Sequence, residues 1–211
     1  MPSAQTNEIL NKLQPNMKKG DLKKIAKEIK KNHALAMDLW STENFEARLL
    51  SVLIMDKKLL TQELIDTLIE DISSLGDTEK NYISEWLLAN QLMKDKKTKE
   101  LLETWEQNPS PTLRRLFWYY QARLRWTGQT PPENTNHLLE ALENSFATEE
   151  PEVQWAMNFT AGQIGVFDPT HRDQCIKLGE KVGLYKDEIV PKNCTPNYLP
   201  EFIRIEVAKK K

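Results

Sequence analysis

The chain has few of the residues that build metal sites, disulfide frameworks or phosphate-binding loops. Its 211 residues include two cysteines, three histidines and seven glycines. Cys175 and Cys194 are not spaced as a metal or redox motif, and no histidine has a cysteine or carboxylate at zinc-ligand spacing. The glycines are scattered rather than gathered in a phosphate loop. We therefore expect no metal, no cofactor and two reduced thiols.

Long apolar runs are also missing. No run approaches the roughly 20 residues that cross a bilayer, so we expect no membrane span. Residues 1–15 mix polar residues with a few aliphatics and lack the apolar core of a signal peptide. A hydrophobic content of 39% and a charged content of 28% are typical of an ordered protein. We expect a cytoplasmic monomer.

Helical periodicity extends along nearly the whole chain, and no stretch alternates with the period of two that is typical of strands. Breakers such as Gly76, Asn108-Pro109 and Asp168-Pro169 separate the helical segments. Ser110 is a good N-cap residue, as is Asp77 or Thr78. The pattern predicts helices over 6–14, 21–32, 33–40, 43–55, 61–75, 78–93, 97–107, 111–126, 133–146, 150–164, 169–182 and 199–208.

Four amphipathic stretches of similar build recur, and they begin at residues 44, 81, 112 and 152. Their starts are 37, 31 and 40 residues apart, a spacing typical of stacked HEAT-type helix pairs. Apolar stripes with helical spacing predict which faces pack between repeats: Phe45, Leu49 and Leu53; Leu113, Phe117 and Leu124; Val153, Met157 and Ile164. The sequence predicts an all-α, HEAT-like α-α superhelix of one domain over residues 1–211, with the N-terminal ~15 residues at its periphery.

Charge is segregated although the net charge is −2. Residues 18–31 contain seven lysines and two acids, and residues 108–128 contain four arginines and no acid. Residues 61–79 and 130–153 each contain six acids and no lysine or arginine. Such segregation can give one surface a positive field, although solvated helix faces of an ordinary kind would have the same pattern.

Aromatic, amide and cationic side chains remain outside the core stripes of three successive repeats. Trp86 and Asn90 lie one helical turn apart, as do Trp155 and Phe159, so each pair is expected on one helix face. In the third repeat Arg114, Trp118, Gln121 and Arg125 share a face, and Arg115 lies beside Tyr119 on the adjoining face. Each residue taken alone is typical of a core or solvated position. Their recurrence favours a surface for nucleic acid, where arginines bind phosphates and aromatic rings stack on bases.

Three segments carry a resemblance to a known family: 33-HALAMDLWSTENFEARLLSVLIMD-56, 155-WAMNFTAGQIG-165 and 193-NCTPNYLPEFI-203. They resemble the AlkD-like DNA alkylation repair family, and the likeness extends over most of the chain from about Lys18 onward. The resemblance implies a HEAT-like helical superhelix that holds duplex DNA in a basic concave groove. It also implies, for active members, a glycosylase without a metal that releases cationic 3- and 7-alkylated purines.

The resemblance assigns roles to individual positions. Trp86 and Asn90 fall on the family's catalytic Trp and Asp, so the catalytic carboxylate is replaced by an amide. Phe159 falls on a second Trp that faces the lesion, and Arg115 on an arginine that contacts the DNA backbone. The predicted catalytic positions are thus Trp86, Asn90 and Phe159. The predicted DNA-binding residues are Arg115, Arg114, Trp118, Tyr119, Arg125 and Trp155.

Three functional hypotheses follow. The first is a protein that binds double-stranded DNA, unmodified or with an alkylated or otherwise altered base, and excises bases weakly or not at all. The second is an active glycosylase for cationic 3- and 7-alkylpurines, in which Asn90 or another group positions water. The third is a protein-binding HEAT scaffold with no role on nucleic acid, which the net charge of −2 favours.

Overall fold

The computed structural model describes residues 3–210, and within that range it contains α-helices, short 3₁₀ helices and no β-strand. The all-α prediction is therefore confirmed. The α-helices are α1 (Ala4–Leu10), α2 (Lys19–Ile29), α3 (His33–Trp40), α4 (Phe45–Ile54), α5 (Gln62–Glu70), α6 (Asp77–Asn90), α7 (Lys96–Glu103), α8 (Pro111–Trp126), α9 (Thr135–Ser145), α10 (Pro151–Phe167), α11 (Arg172–Val182) and α12 (Leu199–Ala208). Short 3₁₀ helices span Lys57–Leu59, Leu92–Lys94 and Trp105–Gln107.

Side-chain caps begin several of these helices. The Asn44 side chain accepts a hydrogen bond from the backbone N–H of Ala47 at 2.9 Å, and Ser110 does the same for Leu113 at 3.5 Å. Pro111 follows Ser110 at the first position of α8, where a missing N–H costs nothing. The N-cap predicted at Asp77 or Thr78 is wrong, because Gly76 occupies that position and Asp77 lies in the first turn.

Helices α1, α2, α5, α6 and α7 end three or more residues earlier than their periodicity predicts, and the cause is visible for α5 and α7. Helix α5 ends at Glu70 rather than at residue 75, because Asp71 is held by groups from α3 and α4. Its carboxylate accepts the indole N–H of Trp40 at 2.8 Å, and its carbonyl accepts from Arg48 at 3.2 Å. Helix α7 ends at Glu103, and the chain tightens into a 3₁₀ turn that buries Trp105. In both places tertiary contacts replace the last turn of the helix.

The chain forms two compact units, Met1–Glu103 and Thr104–Lys211. In the first unit α4 packs against α2, α3 and α6, and Leu49, Leu50 and Val52 are buried at its centre. Thr6 and Ile9 of α1 are also buried. The single domain predicted for the chain remains a prediction, as does the peripheral position of its first residues.

In the second unit the parallel neighbours α8 and α10 form the main helix pair, and α12 packs against α10 and α11. The predicted core stripes of α8 and α10 are buried here: Leu113, Phe117, Leu124, Val153, Met157 and Ile164. Small residues let α12 approach closely. A methyl group added at Gly179 of α11 would lie 2.7 Å from the Cβ atom of Leu199 in α12, which is closer than real Cβ atoms come.

Candidate nucleic-acid interface

Trp86 and Asn90 lie in the last two turns of α6, one turn apart as predicted. The Trp86 side chain is 9% exposed, and its indole N–H donates to the carbonyl of Leu49 at 3.0 Å. The amide of Asn90 is half-buried and donates through Nδ2 to the carbonyl of Trp86 at 2.8 Å. Both side chains are thereby fixed by backbone carbonyls, and the second one is a neutral amide.

Two other rings and two lysines complete a group that we call the Trp86 cluster: Phe45, Tyr82, Trp86, Lys19 and Lys23. Tyr82 stacks on Trp86 with ring centroids 6.4 Å apart and planes 17° apart, and Phe45 lies 5.6 Å from Tyr82. The Lys19 ammonium lies 4.8 Å from the Tyr82 ring and 5.6 Å from the Trp86 ring. The Lys23 ammonium lies 5.7 Å from the Trp86 ring. The aromatic face of α6 therefore already has two cations over it.

A second group lies on α8 and α10, and we call it the Phe159 cluster: Arg115, Tyr119, Trp155 and Phe159. The rings of Trp155 and Phe159 are 5.5 Å apart with planes 15° apart, so the contact predicted from their spacing is confirmed. Tyr119 lies 5.9 Å from Trp155 and 5.8 Å from Phe159. The Arg115 guanidinium lies over Trp155 at 5.1 Å and over Tyr119 at 5.7 Å. Arg115 is 3% exposed, so the cation is held deep among these rings.

The aromatic contacts continue beyond the predicted residues. Phe159 makes edge-to-face contacts with Trp126 at the end of α8 and with Phe202 of α12, both at 6.1 Å. Trp126 is 51% exposed, and the Arg123 guanidinium lies 5.6 Å from its ring. Neither Trp126 nor Phe202 was predicted as a site residue. The four-residue spacing of Arg115, Tyr119 and Arg123 is a sequence signal that could have indicated this helix face, and it was not used in the prediction.

Arg114 is engaged within the protein. Its guanidinium donates to the carboxylates of Glu149 and Glu150 and to the carbonyls of Asn108 and Pro109. Burial lowers the pKa of Arg114, but the hydrogen bonds to the two carboxylates outweigh this and raise the pKa above its usual value. Its predicted contact with a DNA phosphate would require the phosphate to displace two carboxylates.

Trp118 and Arg125 lie in the interior of the second unit. Trp118 is 2% exposed and meets Phe117 edge to face at 5.4 Å. Arg125 is 5% exposed and donates to the carbonyl of Gln121 at 2.9 Å and to the Thr135 hydroxyl at 3.1 Å. Burial lowers the pKa of Arg125 from its usual value, although a guanidinium stays charged. Contact between DNA and either side chain would first require the side chain to be uncovered.

Other kinds of site have little support in the described part of the chain. Residues 3–210 contain no group of three or more His, Cys, Asp or Glu side chains that could hold a metal ion. None of the described helices is long and apolar enough to cross a membrane. Cys175 is buried and Cys194 is exposed, and both are free thiols. Burial, helped by Asp168, raises the pKa of the Cys175 thiol to about 12, so it is a poor nucleophile.

The chain is similar to known proteins of DNA repair. Residues 16–180 match the family model for DNA alkylation repair enzymes. One solved structure aligns with 99% of this chain and 89% of its own chain, at 18% sequence identity and a TM-score of 0.70. It represents a family of proteins related to the HEAT-like repeat DNA glycosylases with affinity for branched DNA structures. That likeness supports the HEAT-like fold. A search of curated protein sequences found no match.

Proposed function

Because this chain belongs to the DNA alkylation repair enzyme family, we propose that it binds double-stranded DNA and excises alkylated bases weakly or not at all. The observation that carries this proposal is the composition of the Trp86 cluster. Its aromatic rings have two lysine ammonium groups over them, and the residue one turn after Trp86 is the neutral amide of Asn90.

The two lysines disfavour a cationic base on the Trp86 ring. An alkylated purine stacked there would bring its positive charge close to the ammonium groups of Lys19 and Lys23. At such distances each like charge costs about 1 kcal/mol or less in water-like surroundings. The lysines are exposed, so salt screens this repulsion further. The repulsion weakens selection for a cationic lesion without forbidding it.

The absence of a carboxylate at position 90 should slow base excision more than the repulsion from the two lysines does. Cleavage of a glycosidic bond builds positive charge on the sugar, and a carboxylate nearby stabilises that charge. A preorganised charge of this kind is worth about two to three orders of magnitude in rate. Asn90 has the shape of the aspartate but no charge, and its Nδ2 group donates to the Trp86 carbonyl.

The lysines of α2 favour binding to the phosphate backbone. Within residues 3–210, Lys19 and Lys23 have no carboxylate partner, whereas Lys24 pairs with Asp21 and Lys31 with Asp56. A lysine without a carboxylate partner can neutralise a phosphate and release counterions, and this contribution to affinity does not depend on sequence.

Binding of a random duplex at several salt concentrations tests this proposal. We expect binding at low salt, measured by fluorescence anisotropy, and an affinity that falls steeply as salt rises. The double variant Lys19→Ala/Lys23→Ala should bind more weakly, with a salt slope reduced by about 1 for each lysine. The control Lys24→Ala should behave almost as wild type, because Lys24 is already paired with Asp21.

A duplex that is not bound at low salt would contradict the proposal and leave the protein-binding scaffold as the surviving hypothesis. A three-way junction of the same sequence belongs in the series, because the structurally similar family has affinity for branched DNA. Tighter binding of the junction than of the linear duplex would show that this chain, too, has affinity for branched DNA.

The active glycosylase is the second candidate, and the retained aromatic residues favour it. The resemblance assigns Trp86 to the family's catalytic Trp and Phe159 to a ring that faces the lesion, and Phe159 stacks on Trp155. Alkylated purines are good leaving groups, so stacking and water positioned by Asn90 could support slow release. Measurement of released 7-methylguanine and 3-methyladenine separates the two candidates.

A further inference from the structure

Beside the Phe159 cluster, α8, α10 and α12 enclose a pocket of about 340 Å³. Four aromatic side chains line it: Trp126, Phe159, Phe167 and Phe202. Its volume lies within the roughly 300–1,000 Å³ of small-molecule sites. Trp126 is 51% exposed and Phe167 is 40% exposed, so two of the rings are open to a ligand that arrives from solvent.

One polar side chain in this wall is free to bind a ligand from the pocket. Gln163 is 6% exposed and lines the pocket, and its side-chain amide makes no hydrogen bond with any residue of the range 3–210. Its amide atoms are not among the fully buried ones without a partner, so solvent in the pocket reaches them and a bound ligand can replace that solvent. An amide both donates and accepts, which suits the edge of a nucleobase.

Charges at the pocket decide which part of a nucleotide fits inside. Burial would raise the pKa of Glu206, but hydrogen bonds from Lys209 and Thr195 lower it, so the carboxylate is ionised at neutral pH. An ionised carboxylate in the wall disfavours a phosphate inside the pocket and can accept a hydrogen bond from an amino group. The Lys210 ammonium lies 4.0 Å from the Phe167 ring and can hold a phosphate outside.

We infer that this pocket binds a single nucleobase that has left the base stack, with its ring against Trp126 and Phe167 and its edge at Gln163. This inference rests on the proposed function and adds a preference for DNA with an unstacked nucleotide. Aromatic walls supply the stacking, which is worth enough per base to change affinity by about tenfold. Two cations supply phosphate contacts beside it: Lys210, which lines the pocket, and Arg123, whose guanidinium lies 5.6 Å from the Trp126 ring.

Two duplexes of the same length test the inference, one fully paired and one with a one-nucleotide adenine bulge. At the same salt concentration, wild-type protein should bind the bulged duplex about tenfold more tightly. The variants Trp126→Ala and Gln163→Ala should reduce this preference, because they lower the affinity for the bulged duplex more than the affinity for the paired duplex. Leu59→Ala is the control, because Leu59 is also 51% exposed but lies in the other unit.

A cross-linking measurement locates the base directly. A duplex with 5-iodouracil at the bulge should, on irradiation, cross-link to Trp126 or Phe167, as mapped by peptide mass spectrometry. Circular dichroism melts of the variants show that each remains folded. Cross-links found only outside the pocket would overturn the inference, even if the bulged duplex binds more tightly.

Different results would contradict this inference and the proposed function. Equal affinity for the two duplexes would overturn the inference and leave duplex binding intact. A preference for the bulge that persists in both pocket variants would also overturn it. If the protein binds neither duplex, the proposed function fails, and the inference fails with it.

Discussion

The side-chain amide of Asn90 turns back towards its own helix, and its Nδ2 group donates a hydrogen bond to the Trp86 carbonyl at 2.8 Å. A carboxylate at this position could not donate that hydrogen bond, and the carbonyl oxygen of Trp86 would repel the carboxylate. We therefore expect an aspartate here to turn away from the helix backbone, where its charge can stabilise a sugar cation.

The substitution Asn90→Asp tests the role of this position. We expect release of 7-methylguanine from methylated duplex to rise by about tenfold or more. Asn81→Asp is the matched control, since it adds the same charge to the same helix nine residues earlier, and it should cause no rise. A folded Asn90→Asp protein with no gain in release would show that the missing carboxylate does not limit excision.

Local spacing predicts some contacts of the candidate sites and not others. Trp155 and Phe159 are one helical turn apart, and their ring contact follows from helix geometry alone. Lys19 and Trp86 are 67 residues apart, so only the packing of α2 and α6 on α4 brings the ammonium to the ring. The pairing of Arg114 with Glu149 and Glu150 is also tertiary, although both charged segments were visible in the sequence.

At the scale of elements, local signals predict helix ends well where a strong cap or breaker is present. Helices α3, α8 and α12 have the predicted ends, and α8 begins at the Ser110-Pro111 cap. Helix α5 stops early because Trp40 and Arg48 bind Asp71, and nothing near Asp71 in the sequence indicates this. Where the sequence has no strong cap or breaker, tertiary hydrogen bonds can determine the residue at which a helix ends.

The close approach of α11 and α12 leads to a prediction about stability. A methyl group added by Gly179→Ala would lie 2.7 Å from Leu199 Cβ and 2.8 Å from Pro200 Cδ, so α12 must shift. Overpacking of this kind lowers the free energy of unfolding by about 1–3 kcal/mol, and we expect a lower thermal midpoint. Gly20→Ala is the control, because Gly20 has no neighbour within 4 Å.

Alanine at residue 20 should leave the stability unchanged or raise it by about 0.5–1 kcal/mol, since alanine favours the helix over glycine. A thermal midpoint of Gly179→Ala equal to that of Gly20→Ala would contradict the packing described for α12. Calorimetry or circular dichroism melts measure both midpoints.

For the molecule as a whole, the net charge of −2 is a poor guide to binding, because part of the acidic charge is already neutralised internally. Glu149 and Glu150 pair with Arg114, whereas Lys19 and Lys23 lie exposed over aromatic rings. Each unit thus contains cations that lie over aromatic side chains. Sequence patterning predicted the helical class and this combination of residue types, and it did not predict which cations are accessible.

The most direct test of the account is the release of 7-methylguanine from methylated duplex under single-turnover conditions, with protein in excess at a salt concentration where binding is complete. An active glycosylase of the family is the positive control. We expect a duplex that is fully bound and a release of 7-methylguanine at least about a hundredfold slower than that of the active enzyme. Release at or above the rate of the active enzyme would contradict the account.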